Sequence, residues 1–563
     1  MNVKTIDTVN ISLPSGATYE LEKGLSLAEI SGMVEHGCKW PITIAKVDND
    51  FKELTFVPES DCMIEFFDTG TKDGMRVYKR TAIMVLIMAI QKVLHGSEVR
   101  IMQSLSNALY CEVDGVKSLT AENIEAIEDE MWNIVRPAYP IVKNTLPVQD
   151  AMKIYRRMGL YDKVELLKYR NMPEVNTYTC MGYTDYFYGF MAPDTSYVNH
   201  FRLNLYSPGL ILELPSRLNP LEIPEYEEQG QLPSIYFAAN KWGKTVGVKD
   251  IASLNRCVEA GLFKELVLMC EAFQEKRISR IADEILENRD RIAVVLIAGP
   301  SSSGKTTFAK RLSIQLKVNG INPIAISMDD YFINRCNCPV DEEGNPDLES
   351  VETIDIPLFN DHISRLIQME RVEVPKFDFV TGSRKEIGHD MKLEDGELLI
   401  IEGIHALNDR LTASIPKWRK FKIYVSALTH LNIDDHSKIP ATDVRLLRRL
   451  VRDYFYRGSD AKFTLDMWPK VRRGEYENIF PFQEDADEFF NSSFPYELSV
   501  LRKYSEPLLK SVSKSDICYS DAKRLRRFLT YIIPEEGAEE YIPQNSIIRV
   551  QKHQPTECIR RPC

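Results

Sequence analysis

No stretch of this 563-residue sequence is apolar for long: the longest run, Ala82 to Ile90, is about half of the ~20 residues a membrane-spanning helix needs. The first residues, Met1-Asn-Val-Lys-Thr5, lack the basic-then-apolar pattern of a secretory leader. Positive charge is not in excess either. With 70 Lys and Arg against 82 Asp and Glu the formal charge is −12, which removes the global electrostatic case for nucleic-acid binding and leaves room only for a local basic patch. The eleven cysteines are scattered, and Cys336-x-Cys338 has no second pair at zinc-finger spacing. Free thiols in a reducing cytoplasm follow. The expectation is a soluble cytoplasmic protein of three or four domains at roughly 150 residues each.

What the sequence does have is a phosphate-binding loop. Ala293 to Ala298 is an apolar run of the kind a buried parallel strand shows, Gly299 to Thr306 fits G-x-x-x-x-G-K-S/T, and Phe308, Leu312 and Leu316 then recur at helical spacing. Gly299 and Gly304 let the backbone curl so that successive N–H groups of Gly299-Pro300-Ser301-Ser302-Ser303-Gly304-Lys305-Thr306-Thr307 face phosphate oxygens, and the helix start adds its positive end. Lys305 would reach the β- and γ-phosphates of ATP, and the Thr306 hydroxyl would ligate Mg2+.

Strand and helix then alternate, as in a parallel sheet wrapped by helices. Pro323 to Ser327 is a strand that ends at Met328-Asp-Asp-Tyr-Phe332, which places Asp329 and Asp330 at the mouth where such sheets bind ligands. A carboxylate there can take the proton of an attacking hydroxyl; the other member of the pair would cap a helix. Glu397 to Ile401 leads into Glu402, the expected Mg2+ partner at a strand end. In the helix 443–453, Arg445, Arg448, Arg449 and Arg452 share faces with few acidic partners at i+4, and Arg457 follows. Arginines over a phosphate site neutralise charge that develops during transfer.

The first 70 residues read as a small β-rich module, with strands at Val9–Leu13, Thr18–Leu21, Ile42–Val47 and Met63–Phe67 and a helix over Ser26–Val34. Long helices over Arg80–Leu94, Ala121–Val135 and Val148–Arg157 come next, then a strand-rich segment from Asn176 to Pro215. Residues 216–287 read as a connector: Pro220, Pro224, Pro233 and the acidic run Glu225 to Glu228 predict a surface loop, and Ile251 to Asn288 two or three helices. Tyr183, Tyr186, Phe187 and Tyr188 can stack on bases, but packing in a core is the reading preferred here. The polar end from Glu557 to Cys563 reads as a frayed tail.

Three resemblances follow from these stretches. "LPSGATYELEKGLSLAEI" resembles the start of a TGS domain, the ubiquitin-like module of threonyl-tRNA synthetases and some GTPases. The following helices and strands resemble the editing domain of threonyl- and alanyl-tRNA synthetases. Where that family carries a His-x-x-x-His and a Cys-x-x-x-His metal set, this chain has Tyr78-Lys-Arg-Thr-Ala82 and Gly182-Tyr-Thr-Asp-Tyr-Phe-Tyr-Gly189. The ligands are missing, so the resemblance implies a scaffold or recognition module. His200 is the single histidine of the later segment and is assigned a structural role.

"GPSSSGKTT", "SMDDYF", "IDIP", "PKFDFVTGSRKE", "IEGIHAL" and "TDVRLLRRLVRDYFYRG" resemble, in order, the uridine kinase branch of the phosphoribulokinase/uridine kinase family. That resemblance implies Asp329 as general base, with Lys305, Arg449, Arg452 and Arg457 as its catalytic companions. It implies Mg2+ at Thr306, Glu402 and Asp329, and acceptor contacts from Asp355, Phe332, Phe377, Phe379, Arg384, Arg449 and Arg452. Phe377 and Gly382 stand where the family has a Tyr and a His that read the pyrimidine, and Ser459 where it often has an arginine; losing such donors removes discriminating contacts.

The expectation is a multidomain α+β and α/β chain. It comprises a ubiquitin-like β-grasp domain at 1–70, an editing-like α+β domain at 71–217, a connector with helices at 218–287 and a P-loop α/β kinase with a parallel sheet at 288–563. Its expected activity is ATP-dependent phosphorylation of a nucleoside 5′-hydroxyl, of uridine or cytidine first. Rival readings are another nucleoside or small polyol as acceptor, or a tRNA- or ribosome-associated nucleotide switch with RNA contact through the N-terminal half. A homo-oligomer is compatible with the family.

Overall fold

The structure, a computed structural model, describes residues 7–105, 108–228, 230–341, 344–379 and 381–550; the first residues and the tail from Glu557 lie outside these. Among the described residues no helix is long and apolar enough to cross a membrane.

The chain opens with β1 (Thr8–Ser12), β2 (Thr18–Glu22), α1 (Leu27–Ser31), β3 (Ile42–Val47), β4 (Asp50–Glu53) and β5 (Cys62–Asp68), in a sheet ordered β2-β1-β5-β3-β4 with β1 and β5 parallel. Alternation drives this: Val9, Ile11, Ile64 and Phe66 turn inward onto Leu27 and Ile30 of α1. Ser26 and Glu29 close a reciprocal cap at the start of α1. This is the arrangement of a β-grasp module.

The middle part runs α2 (Lys72–Val93), β6 (Glu98–Leu105), β7 (Ala108–Asp114), α3 (Ala121–Val135), β8 (Val142–Pro147), α4 (Val148–Met158), α5 (Tyr161–Leu167), β9 (Glu174–Cys180), β10 (Tyr183–Asp185), β11 (Arg202–Tyr206) and β12 (Gly209–Glu213). The apolar run Ala82–Ile90 is wholly buried in α2, against α3 and the sheet β11-β12-β7-β6. Strands β6, β7 and β8 fall where the sequence pattern favoured helices before strands. The reason is visible in β7, which is buried on both faces and so carries no alternation. One face meets α2; on the other, Tyr110 packs edge-on to Phe237 at 5.2 Å within a core shared with Leu296. Tyr183, Tyr186 and Phe187 are core residues too, with the Tyr183 hydroxyl donating to Asp185 at 2.7 Å.

The segment expected to be a surface loop contains α6 (Leu232–Thr245), in which Pro233 sits at the helix start, where its missing N–H costs nothing. Ile235 and Tyr236 of α6 join the core beside the parallel sheet that follows. Helices α7 (Ile251–Glu259) and α8 (Phe263–Glu287) follow, and then β13 (Val294–Ala298), α9 (Lys305–Val318), β14 (Asn322–Ser327) and α10 (Ile356–Ile367). Two small hairpins come next, β15 (Val372–Val374) paired with β18 (His389–Met391), and β16 (Phe377–Asp378) paired with β17 (Ser383–Arg384). The rest is β19 (Glu397–Glu402), β20 (Lys420–Ser426), β21 (Asn432–Asp434), β22 (Ser437–Lys438), α11 (Ala441–Arg457), α12 (Ala461–Asn478), β23 (Glu488–Asn491), α13 (Glu497–Lys510) and α14 (Tyr519–Leu529).

The parallel sheet is ordered β14-β19-β13-β20-β23, with β13 at its centre and buried throughout. Arg311 of α9 reaches Glu271 and Glu275 of α8 at 3.0 and 2.6 Å, so the helix before the sheet is fastened to the helix after the phosphate loop. Nine cysteines fall among the described residues, all as free thiols.

Candidate active site

The turn after β13 is shaped by two glycines. At Gly299 (φ 154°) a Cβ would stand 2.0 Å from the Val425 carbonyl oxygen of β20, and at Gly304 (φ 90°) 2.7 Å from Cγ2 of Ile547. Any side chain would push the loop off the strand below it or the C-terminal segment beside it. Ser302 adds a further left-handed residue at φ 60°. Helix α9 starts at Lys305 with no side chain capping its amides, which leaves them to an anionic ligand.

Helix α11 and its neighbours hold this loop. Arg449 Nη1 donates to Ser301 Oγ at 2.8 Å and Arg445 Nε to the Ser301 carbonyl at 3.1 Å, while Ser492 Oγ donates to the Ser303 carbonyl. The helix has more acid partners than its own sequence shows, because they arrive from elsewhere: Arg445 pairs with Glu475 of α12, and Arg448 with Glu497 of α13 at 2.7 Å. Arg449, Arg452 and Arg457 share the single carboxylate of Asp453, at 3.2, 2.8 and 3.7 Å. Three guanidiniums against one carboxylate leave net positive charge at this end of α11.

A cavity of about 290 Å³ opens there, and Lys305, Thr306, Asp329, Glu402, Arg449, Arg452 and Arg457 all line it. A second of about 590 Å³ lies on the other side of the loop, against Thr307, Ile314 and residues 544–550. The two share Ser302, Lys305, Thr306, Phe379, Arg452 and Arg457. Lys305 and Thr306 therefore stand where two compartments meet.

Lys305 Nζ donates to the Pro300 carbonyl at 3.3 Å, and burial lowers its pKa, opposed by the nearby Glu402 and Asp329. Glu402 Oε1 accepts from Thr306 Oγ1 at 3.1 Å and Ser327 Oγ at 3.2 Å. Burial raises the pKa of Glu402, and Asp329 adds to the shift; Asp329 is likewise raised by burial, against the pull of Lys305 and Arg457. Two acids beside a lysine and a threonine hydroxyl gain from a divalent cation that neutralises them. Among the described residues no three His, Cys, Asp or Glu side chains converge as a protein-only cage. The set of Asp329, Glu402 and Thr306 oxygens instead fits Mg2+, which completes its shell with water and phosphate oxygens.

The acidic pair divides its work differently from the sequence expectation. Asp330 caps no helix; it accepts from Phe377 N at 3.3 Å and pairs with Lys376, tying β16 to the end of β14. Phe332, Phe377 and Phe379 form an edge-to-face cluster with centroids 5.3 to 6.3 Å apart on the wall of the smaller cavity. The Arg457 guanidinium lies 5.1 Å over the Phe379 ring, with its pKa held down to about 10 by burial and then by Arg452. Asp355 and Arg384 are absent from the lining. Asp355 accepts from Leu358 N to start α10 and pairs with Arg384 at 3.1 Å, and Arg384 donates to the Tyr331 and Phe332 carbonyls at 2.7 and 2.9 Å. Gly299, Pro300, Ser303 and Gly304 shape the loop without lining this cavity.

Three participants escaped the sequence reading. Glu349 lines the cavity, with a carboxyl pushed up to about 7 by burial against the attraction of Arg449. Arg335 lines it too, and its Cδ lies 2.5 Å from where a Cβ of residue 382 would stand, so arginine occupies space beside Gly382. The 544–550 segment contributes Ile547. None lies in a recognisable motif; loop residues that meet only in three dimensions leave no local signal.

Residues 294–495 match the model of the Phosphoribulokinase / Uridine kinase family. The threonine–tRNA ligase of Symbiobacterium thermophilum is 28% identical over 198 residues, covering 35% of this chain and 30% of the ligase. That of Clostridioides difficile is 26% identical over 198 residues, covering 35% of this chain and 31% of the ligase. The chain spans about a third of the length of these curated relatives. A solved structure described as a possible uridine kinase from Bacillus stearothermophilus is 21% identical, with a TM-score of 0.25, covering 38% of this chain and 98% of that one. D-glycerate 3-kinase from Cryptococcus neoformans var. grubii is 15% identical, with a TM-score of 0.22, covering 45% of this chain and 87% of that one. The C-terminal part, residues 294–495, is a domain of the phosphoribulokinase/uridine kinase family, joined to an N-terminal half similar to the N-terminal region of threonine–tRNA ligases.

Proposed function

We propose that the chain transfers the γ-phosphate of ATP to a hydroxyl of a small acceptor, the 5′-hydroxyl of uridine or cytidine first. The observation that carries this reading is the pair of cavities meeting at Lys305 and Thr306. The donor phosphates lie on the loop amides and Lys305, with the rest of the nucleotide in the larger compartment, and the acceptor in the smaller one. Asp329, whose pKa burial raises in the metal-free chain, takes the proton of the attacking hydroxyl. Mg2+ held by Thr306, Glu402 and Asp329 would neutralise phosphate charge there. Arg449, Arg452 and Arg457 bring the charge that offsets the transferring group, and Phe332, Phe377 and Phe379 offer a flat apolar wall to a base. Asp355 and Arg384 support that wall from outside the cavity.

The acceptor is where a second reading has its own observation. Phe377 brings no polar atom to the wall, and Arg335 fills space beside Gly382, so the polar contacts available differ from those of a pyrimidine reader and favour testing other nucleosides and small polyols. A third reading, a nucleotide switch that contacts RNA, is motivated by the ligase-like N-terminal half.

The test is ADP release with Mg-ATP across a panel of nucleosides and small polyols, with Asp329→Asn in parallel. Release stimulated by uridine or cytidine and cut by ~10²–10⁴-fold in the variant is the expected result. Stimulation by a polyol alone moves the acceptor. No stimulation by any acceptor, with salt-sensitive RNA binding to the full chain, replaces the kinase reading with the switch.

A further inference from the structure

Away from the phosphate loop, a cavity of about 200 Å³ lies where α2, the strand β22 leading into α11, and α14 come together. Its lining carries five cationic side chains, Arg76, Lys79, Arg80, Lys438 and Arg524, and one carboxylate, Asp443. That carboxylate is already engaged by both terminal nitrogens of Arg524, which also reaches Asp521 at 3.2 Å. Arg76 is held by Asp73 at 2.9 Å. His436, also on the wall, is bonded through Nδ1 to Asp185 at 2.6 Å.

Three cations remain with little to offset them. Arg80 has one donor on the Phe190 carbonyl at 3.1 Å, and its guanidinium lies over Gly189, where a Cβ would stand 2.1 Å from Cζ. Among the described residues, Lys79 and Lys438 have no carboxylate within ion-pairing distance; the recorded contact of Lys438 is the Tyr236 ring, 5.7 Å away. Burial lowers the pKa of Lys79, with Arg217 adding to it. Lys438 is pushed down to about 7 by burial and then by the charge of Lys79. Gathering desolvated like charges is costly unless something pays back the cost.

We propose that this cavity is a binding site for a small phosphorylated ligand, held by Lys79, Arg80 and Lys438 and separate from the kinase site. A phosphate group supplies what the lining lacks: a compact double negative charge with three strong acceptor oxygens. The volume favours a phosphate or small sugar phosphate over a polynucleotide, being below the roughly 300–1,000 Å³ of drug-sized sites. The place matters as well. Lys438-Ile439-Pro440 runs straight into α11, which carries Arg449 at its middle and Arg452 and Arg457 beyond, so an occupant here braces the root of the helix that serves the kinase cavity.

The experiment uses the full chain carrying Lys305→Ala, so that the phosphate loop does not dominate, and inorganic phosphate and pyrophosphate as probes. Thermal unfolding is followed at constant ionic strength with chloride as the matched control. The expected result is a Tm that rises with phosphate or pyrophosphate and not with chloride. Adding Lys79→Gln or Lys438→Met should weaken the apparent affinity by about ten- to a hundredfold. Without ligand these variants should unfold at the same or a higher temperature than the parent, since each removes an unpaired cation. A phosphate response of equal strength in the variants, or no response to either anion, overturns the proposal. A short RNA bound through Lys79 and Lys438 while both anions fail would also overturn it, in favour of nucleic acid.

Discussion

The two cation-lined regions of the molecule differ in what faces the cations. At the phosphate loop, Lys305, Arg449, Arg452 and Arg457 are met by Asp329, Glu402, Glu349 and Asp453, so the compartment holds both signs of charge and carries groups able to move a proton. In the junction cavity the one carboxylate is spent on Arg524, and Lys79, Arg80 and Lys438 are left to each other. The first arrangement suits chemistry on a phosphate; the second suits holding one.

Four measurements would break or sharpen that contrast. Lys305→Ala should lower turnover by ~10²–10³-fold, as loss of one preorganised donor to a developing charge does, while leaving the phosphate response of the junction cavity intact; loss of both would make them one site. Glu402→Gln should raise the Mg2+ concentration needed for half-maximal activity by about 10–100-fold, read by titrating the metal at saturating ATP.

A smaller effect is expected in the pH profile. Burial raises the pKa of both Asp329 and Glu402 above ordinary carboxylates. The folded protein therefore keeps these protons to higher pH than the unfolded chain. Their stabilising contribution is present below the unfolded values and lost as pH rises through the folded ones. The acid limb of kcat/KM for Mg-ATP, which reports the enzyme before metal and nucleotide bind, should correspondingly lie above the ordinary aspartate value of 3.8, and an acid limb at or below 3.8 would remove Asp329 as the base.

The last measurement concerns Lys438. Its pKa falls from 10.5 to about 7, so the unfolded chain binds more protons between those values, and ligand-free stability should climb as pH rises above about 7. Lys438→Met should flatten that climb, measured as Tm against pH.

How much of this was legible depends on whether residues close in sequence do the work. The strand before Gly299, the loop, Asp329, Glu402 and the arginine run are local patterns, and the structure brings Lys305, Thr306, Asp329, Glu402, Arg449, Arg452 and Arg457 from them to one cavity. Strand β20 hid itself: a central parallel strand is normally a continuous apolar run, but here Lys420 and Lys422 are buried in it and paired with Asp409 at 2.9 and 3.1 Å. Helix α6 was hidden by Pro233, which reads as a breaker until it is seen in the first turn. The acid partners of Arg445 and Arg448 come from α12 and α13, so counting charges along α11 alone undercounted them. The junction cavity draws on segments near residues 80, 438 and 524, and no single stretch announces it.

Ile547 resting on Gly304 ties the middle of the sequence to its last described segment. During synthesis the phosphate-loop motif leaves the ribosome long before the residues that back it. A chain released early would display every signature of a nucleotide binder over an unbacked loop. Nucleotide affinity measured on chains truncated before and after residues 544–550 reads this directly, and equal affinities would show that the loop needs no such backing.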